Sequence, residues 1–250
     1  MSPKIFGTEH LVFLAIFVVF MIVSLVLIKK FVKSEKAKSI TVRLVAFALF
    51  AFIAWNRISI TVLRGNWNRL IPNTFCGLDS LVIALAVIFG KKNNGVLHFV
   101  VYVTFVGGLG TLLYPDFIDT YNSIFHTITM SGLLHHAFSL YLCILLQMVG
   151  WFTPNYKKWK NLIVGFLAYI TLGAFLMSVL DVKTAFYINE PLIDGTILNI
   201  WVLAPIFAVG YALYMFAYEI ITKKKWRKKP KSSYPVSYTH LRAHETSAHL

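Results

Sequence analysis

Cys76, Asp79 and Ser80 lie within one helical turn of each other in the stretch Pro72 to Ser80, PNTFCGLDS. Residues three and four apart share a helix face, so a thiol, a carboxylate and a hydroxyl are presented together. A thiol becomes a nucleophile when a base or a nearby cation favours its thiolate. It also packs well as a small apolar residue, so burial of Cys76 needs no explanation. Burial of Asp79 does need one, because a carboxylate in an apolar span is costly and marks a functional site by default.

The base for such a thiol would come from His135 or His136. Adjacent helical residues point about 100° apart, which predicts that only one of the two faces a common cavity. His135 shares a face with Ser131 and Ser139, and His136 with Ser139 and Cys143. Asp79 or Arg57 would orient the base or stabilise charge, and the two could instead neutralise each other as a structural pair. The catalytic candidates are therefore Cys76, His135, His136 and Asp79. Polar residues expected to bind substrate are His10, Arg57, Asp116, His126, Asp181, Asn189 and Asn199.

No metal is expected. His126, His135 and Asp79 are the best candidate set, but no helix carries ligands at a metal-binding spacing. Gly107, Gly108 and Gly110 lack the strand and the Lys-Ser/Thr of a phosphate loop and are expected to pack helices closely. No cofactor fingerprint, Gly-x-Ser-x-Gly elbow or His-Glu-x-x-His helix occurs. Cys76 and Cys143 should lie roughly 20 Å apart in depth by helix rise, beyond the reach of a disulfide.

The elements that must position these groups are membrane helices. The chain has 250 residues, 58% of them hydrophobic and 14% charged, with a net charge of +14. Seven apolar runs, near 9–29, 40–63, 71–90, 96–114, 126–151, 161–181 and 197–221, approach the roughly 20 residues a bilayer crossing takes. The third and fourth are short and form a tight hairpin. The fold class is all-α, a polytopic seven-helix bundle over residues 1–231 with a basic tail.

Lys29 to Arg43, Lys91 with Lys92, Lys157 to Lys160 and Lys223 to Lys231 follow alternate runs. Intervening loops carry little positive charge apart from Arg64, Arg69 and Lys183. The positive-inside rule then puts the N-terminus outside and the C-terminus in the cytoplasm. A cleaved signal peptide is not expected, since the first basic cluster follows the apolar run. Nucleic acid is not expected as a partner, because the basic residues bracket apolar runs and build no binding face. In this orientation the strongly polar residues gather in the outer half, as an outward-opening cavity requires. From about Pro235, PVSYTHLRAHET has the look of a translated sequencing adapter, so 232–250 is set aside as a non-native tail.

The entry Phe6 to Leu11, the Pro72 to Cys76 start, the Tyr114-Pro115-Asp116 end, a His-bearing fifth run and the Asn189/Pro191 loop resemble the YwaF family. These are bacterial multi-pass membrane proteins, and the resemblance spans roughly 5–225. It implies a bacterial plasma-membrane location. A eukaryotic branch is implicated in acyl transfer to ether phospholipids, with a membrane cysteine that Cys76 would match. Relatives carry His two residues before that cysteine, where this chain has Thr74, so any base must come from another helix. The leading expectation is a lipid-directed acyltransferase working on phospholipid in the bilayer. The alternatives are a solute-binding or transport protein using the same Arg/Asp/His cavity, and a non-catalytic membrane subunit. The absence of an internal repeat counts against transport.

Overall fold

The computed structural model describes residues 3–192 and 195–227, with side chains through Thr222. The remaining basic side chains of the C-terminal cluster and the adapter-like tail lie outside the described residues. Among the described residues the chain is helical and has no strand.

The described residues form seven α-helices in order: α1 Thr8–Phe31, α2 Glu35–Arg64, α3 Phe75–Ile88, α4 Leu97–Leu113, α5 Thr127–Met148, α6 Lys160–Val179 and α7 Ile200–Arg227. Five are long and apolar enough to cross a bilayer, while α3 and α4 are shorter. At 1.5 Å per residue α3 spans about 21 Å and α4 about 25 Å, short of a hydrocarbon core of about 30 Å.

Local chemistry sets the ends. Ser34 Oγ accepts from Ala37 N to start α2, and Gly65, at φ 61°, ends it in the left-handed conformation that glycine adopts without cost. The third helix starts later than expected. Pro72 disfavours helical backbone at Ile71, and Thr74 becomes the N-cap, its Oγ1 accepting from Gly77 N at 3.3 Å. The helix therefore opens at Phe75, one residue before Cys76.

Successive helices alternate between two poles. At one pole His10 Nε2 bonds Leu112 O at 2.9 Å, Trp55 Nε1 donates to Thr127 Oγ1 at 2.7 Å, and Asn68 Nδ2 donates to Leu180 O at 2.7 Å. At the other, Glu35 pairs with Lys38 and Lys92, and Asn93 N donates to Trp151 O at 3.0 Å. The lysine-rich turns sit at this second pole.

Helices α2, α3, α4 and α5 close a ring, each packed on the next and α5 packed back on α2. The first helix lies outside against α5, and α6 against α4. The seventh joins through Tyr211 and Tyr214 against Tyr102 and through Phe207 against Phe166. α5 is the most enclosed span and carries both candidate bases. Gly108 lets α4 and α5 meet: a Cβ there would lie 3.2 Å from His136 O.

Candidate functional site

The three polar residues at the start of α3 go to three different neighbours. Cys76 Sγ faces α4, 3.6 Å from Thr111 Oγ1. Asp79 faces α6, where Oδ1 accepts from Tyr169 OH at 2.6 Å. Ser80 faces α5, within 2.8 Å of Ser139 Oγ and 3.2 Å of His135 Nδ1. Spacings of three and four span enough arc, on a helix enclosed on several sides, for the side chains to part company.

Ser80 is the hub. Its hydroxyl donates to Cys76 O at 2.8 Å. That uses its one hydrogen, so it accepts from His135 Nδ1–H and from Ser139 O–H. The tautomer of His135 follows: the proton is on Nδ1 and the lone pair on Nε2. No described residue bonds Nε2, and it is not sealed from accessible space. The imidazole is thus fixed in orientation by the Ser80 hydroxyl, which Ser139 engages in turn, while the Cys76 sulfur faces α4.

Contrary to expectation, both histidines enter one site. Their ring centroids are 4.0 Å apart, tilted by 37°. His136 stacks on Phe117 of the α4–α5 loop at 6.2 Å, and that ring lies in turn over Gly132. His136 Nδ1 is buried without a partner.

Arg57 and Asp79 do not pair. Arg57 Nη2 donates to Asn56 Oδ1 at 2.9 Å, and Asn56 Nδ2 donates to Ser131 Oγ at 3.1 Å and to Ile128 O at 3.3 Å. The guanidinium is within electrostatic range of both imidazoles. Its Nε is buried without a partner. Asp79 instead bonds Tyr169, whose ring packs against those of Phe75, Phe99 and Phe186 at 5.0–5.6 Å, and its Oδ2 has no partner.

The other expected binding residues hold the pole together. Both nitrogens of His10 are taken, Nδ1 by Phe6 N at 3.1 Å and Nε2 by Leu112 O. His126 caps α5 through Ile128 N and stacks on Tyr121 at 3.5 Å. Asn199 Oδ1 accepts from Trp201 N and Val202 N at the start of α7. Asn189 Nδ2 donates to Lys183 O. Asp116 and Asp181 are exposed on loops. Among the described residues no three His, Cys, Asp or Glu gather closely enough to hold a metal ion, and both cysteines are free thiols.

Thr111, Tyr169, Phe117 and Tyr187 were not foreseen. Tyr187 belongs to the α6–α7 loop, which closes over α3 through Phe186 N to Asn73 O and Asn73 Nδ2 to Thr184 O, both 2.9 Å. Burial raises the Tyr187 phenol above its ordinary range, and Cys76 and Asp116 push it the same way. One sequence signal was available. Thr127, Ser131, His135, Ser139, Cys143 and Gln147 recur every four residues, a polar stripe along α5. Gln147 ends it by accepting from Tyr214 OH.

Cys76 occupies a notch made by Gly107, where a Cβ would stand 3.1 Å from Sγ. Gly107→Ala should therefore crowd the thiol, costing about 1–3 kcal/mol of stability as overpacking does, and slow its alkylation by a membrane-permeant maleimide. Cys143, fully buried, is the internal control. Unchanged Cys76 labelling would show that Gly107 does not set the thiol's surroundings.

A family model matches residues 5–223, nearly the whole described chain. The chain belongs to the TMEM164 family. No curated protein and no solved structure gives a significant match. The motif resemblance pointed to multi-pass membrane proteins under the YwaF name; the family that matches is TMEM164. Family membership and the long apolar helices together describe a protein embedded in the lipid bilayer.

Proposed function

We propose that this chain is an acyltransferase acting on phospholipid acyl chains, with Cys76 as nucleophile and His135 as general base. The observation that carries the reading is the Ser80 hub. It joins the backbone of Cys76 to His135 and leaves Nε2 unbonded, while the sulfur rests against Thr111 and must turn from α4 toward α5 to meet the base. The sulfur sits in a glycine notch and is half-buried, with Thr111 as its only hydrogen-bonding neighbour among the described residues.

His135 Nε2 takes the thiol proton, and the sulfur attacks an ester carbonyl of a donor phospholipid. A C–S bond forms, the ester C–O bond breaks, and the released lyso-lipid alkoxide takes the proton from the imidazolium. A second lysophospholipid hydroxyl then gives its proton to His135 and attacks the thioester. The new ester C–O bond forms, the C–S bond breaks and the thiol is restored. Both lipids would enter from the bilayer side of the bundle. The lysine-rich pole faces the cytoplasm in this reading, by the positive-inside rule, with the Cys76 pole outside and the plasma membrane of a bacterium as the location.

The test is acyl exchange between a labelled phospholipid and a lysophospholipid in proteoliposomes. Cys76→Ala should abolish turnover, and His135→Ala should lower it by about 10²–10⁴. Wild-type turnover in the Cys76 variant would overturn the mechanism. The second reading, a binding or transport protein, is favoured by one observation: the Arg57 charge has no carboxylate beside it. Counterflow of a labelled solute that depends on Arg57, with no acyl exchange, would select it.

A further inference from the structure

Arg57 is a half-buried guanidinium inside the bundle with no carboxylate partner; among the described residues the ion pairs are those of Glu35 with Lys38 and Lys92. The carboxylate that the sequence offered as a partner, Asp79, is held by Tyr169. An enclosed charge without a counter-charge is expensive, and such groups are normally paired. One of its five donors is used, on Asn56, and the Nε–H is sealed in with no acceptor. Buried orphan N–H groups are rare.

A second observation comes from His136, which is 6% exposed. Its Nδ1 has no partner and no access to solvent. A buried orphan acceptor is tolerated better than a buried orphan N–H, so the ring proton belongs on Nε2, which is not sealed. His136 therefore offers a hydrogen where His135, with its Nδ1 proton held by Ser80, offers a lone pair. The neighbouring rings have opposite roles. His136 Nε2 and Arg57 Nε are both N–H groups with no acceptor among the described residues, and the two side chains are within electrostatic range of each other.

We propose that Arg57 and His136 form a binding site for a phosphate ester anion. A planar guanidinium fork matches two phosphate oxygens, and the imidazole N–H suits a third. Arg57 lies seven residues from the end of α2, about 10 Å below it by helix rise, a depth that a lipid headgroup phosphate reaches from the interface. Phe117, stacked on His136, covers the site from the loop side. The site deepens the acyl-transfer reading by naming the group that anchors the lipid, but binding can be measured without turnover.

The experiment uses full-length Cys76→Ala protein in neutral detergent, which cannot turn over by the proposed mechanism. Its melting temperature is measured against dioctanoyl phosphatidylglycerol, dioctanoylglycerol and inorganic phosphate. The phospholipid should raise Tm and the phosphate-free lipid should not. Stabilisation by inorganic phosphate as well identifies the free anion as a ligand, and stabilisation by the phospholipid alone identifies the headgroup. Adding Arg57→Gln should weaken the apparent affinity at least about 30-fold, while Arg64→Gln, an exposed arginine on the same helix, should leave it unchanged. Arg57→Lys keeps the charge but loses the fork, and should bind with intermediate affinity. Equal shifts with both lipids and none with phosphate, or an Arg57→Gln response equal to that of the parent, would overturn the site. If Arg57→Gln does not fold, the three ligands on the parent protein and Arg57→Lys decide the matter. A failure of acyl exchange in the wild type leaves this result untouched.

Discussion

Ser80→Ala is expected to cut acyl exchange by about 10²–10³, near the contribution of a positioned base, although Ser80 touches neither substrate nor sulfur. The hydroxyl is bonded to Cys76 O, His135 Nδ1 and Ser139 Oγ at once. Its removal leaves two buried groups unsatisfied at about 1–3 kcal/mol each, so Tm should fall as well. The decisive signature is in the pH profile. Without an acceptor at Nδ1 the imidazole is free to move its proton to Nε2, which removes the basic atom from the site. The rate then depends on the fraction of the correct tautomer, and the pH at half-maximal kcat should shift while KM stays nearly constant. Ser80→Thr keeps the hydroxyl and should recover much of the activity. A variant that loses stability but keeps both rate and pH profile would reduce Ser80 to a packing role.

Tyr169→Phe is expected to give a clear loss of stability from removal of a single oxygen. Asp79 already has one oxygen without a partner, and the phenol serves the other at 2.6 Å. Deleting that hydroxyl leaves a fully buried carboxyl group with no partner on either oxygen, at a cost of about 1–3 kcal/mol. Replacing both members behaves differently: buried polar pairs exchanged together for apolar groups of similar size are often neutral or stabilising. The double variant Asp79→Leu with Tyr169→Phe should therefore melt above Tyr169→Phe alone, and a double-mutant cycle should give a coupling of about 0.5–3 kcal/mol. Acyl exchange in the double variant separates a structural role for Asp79 from a chemical one. Retained turnover assigns Asp79 to joining α3 and α6; lost turnover with restored Tm assigns it to the chemistry.

Much of the architecture was legible because it rests on periodicity and length. Seven apolar runs became seven helices, with ends displaced by a few residues where Pro72 and Thr74 control the backbone. Five of them meet the length of a bilayer crossing on their own. The site was legible as a list of residues but not as a set of partners. Cys76, Asp79 and Ser80 share a helical turn in sequence, yet what each contacts depends on which neighbour occupies each side of α3. That is a tertiary fact, and spacing along one helix does not carry it. The Arg57 and Asp79 charges invited pairing because nothing in the sequence showed a tyrosine ninety positions away reaching the carboxylate first. The histidines misled for a similar reason: a 100° separation of Cα–Cβ directions does not keep two long flat rings from meeting at 4.0 Å.

The clasp of Asn73 by Thr184 and Phe186 joins positions 111 and 113 apart in the chain. The Tyr169–Asp79 bond spans 90. Ser80 and His135 are only 55 apart and complete their contact within α3 to α5. A nascent chain that has emerged as far as α5 already holds the segments that set the imidazole, but not those that secure the start of α3. During biosynthesis the start of α3 is therefore finished last, from the C-terminal third of the protein, and a polypeptide released early would hold the Ser80–His135 contact with the Asn73 clasp still open.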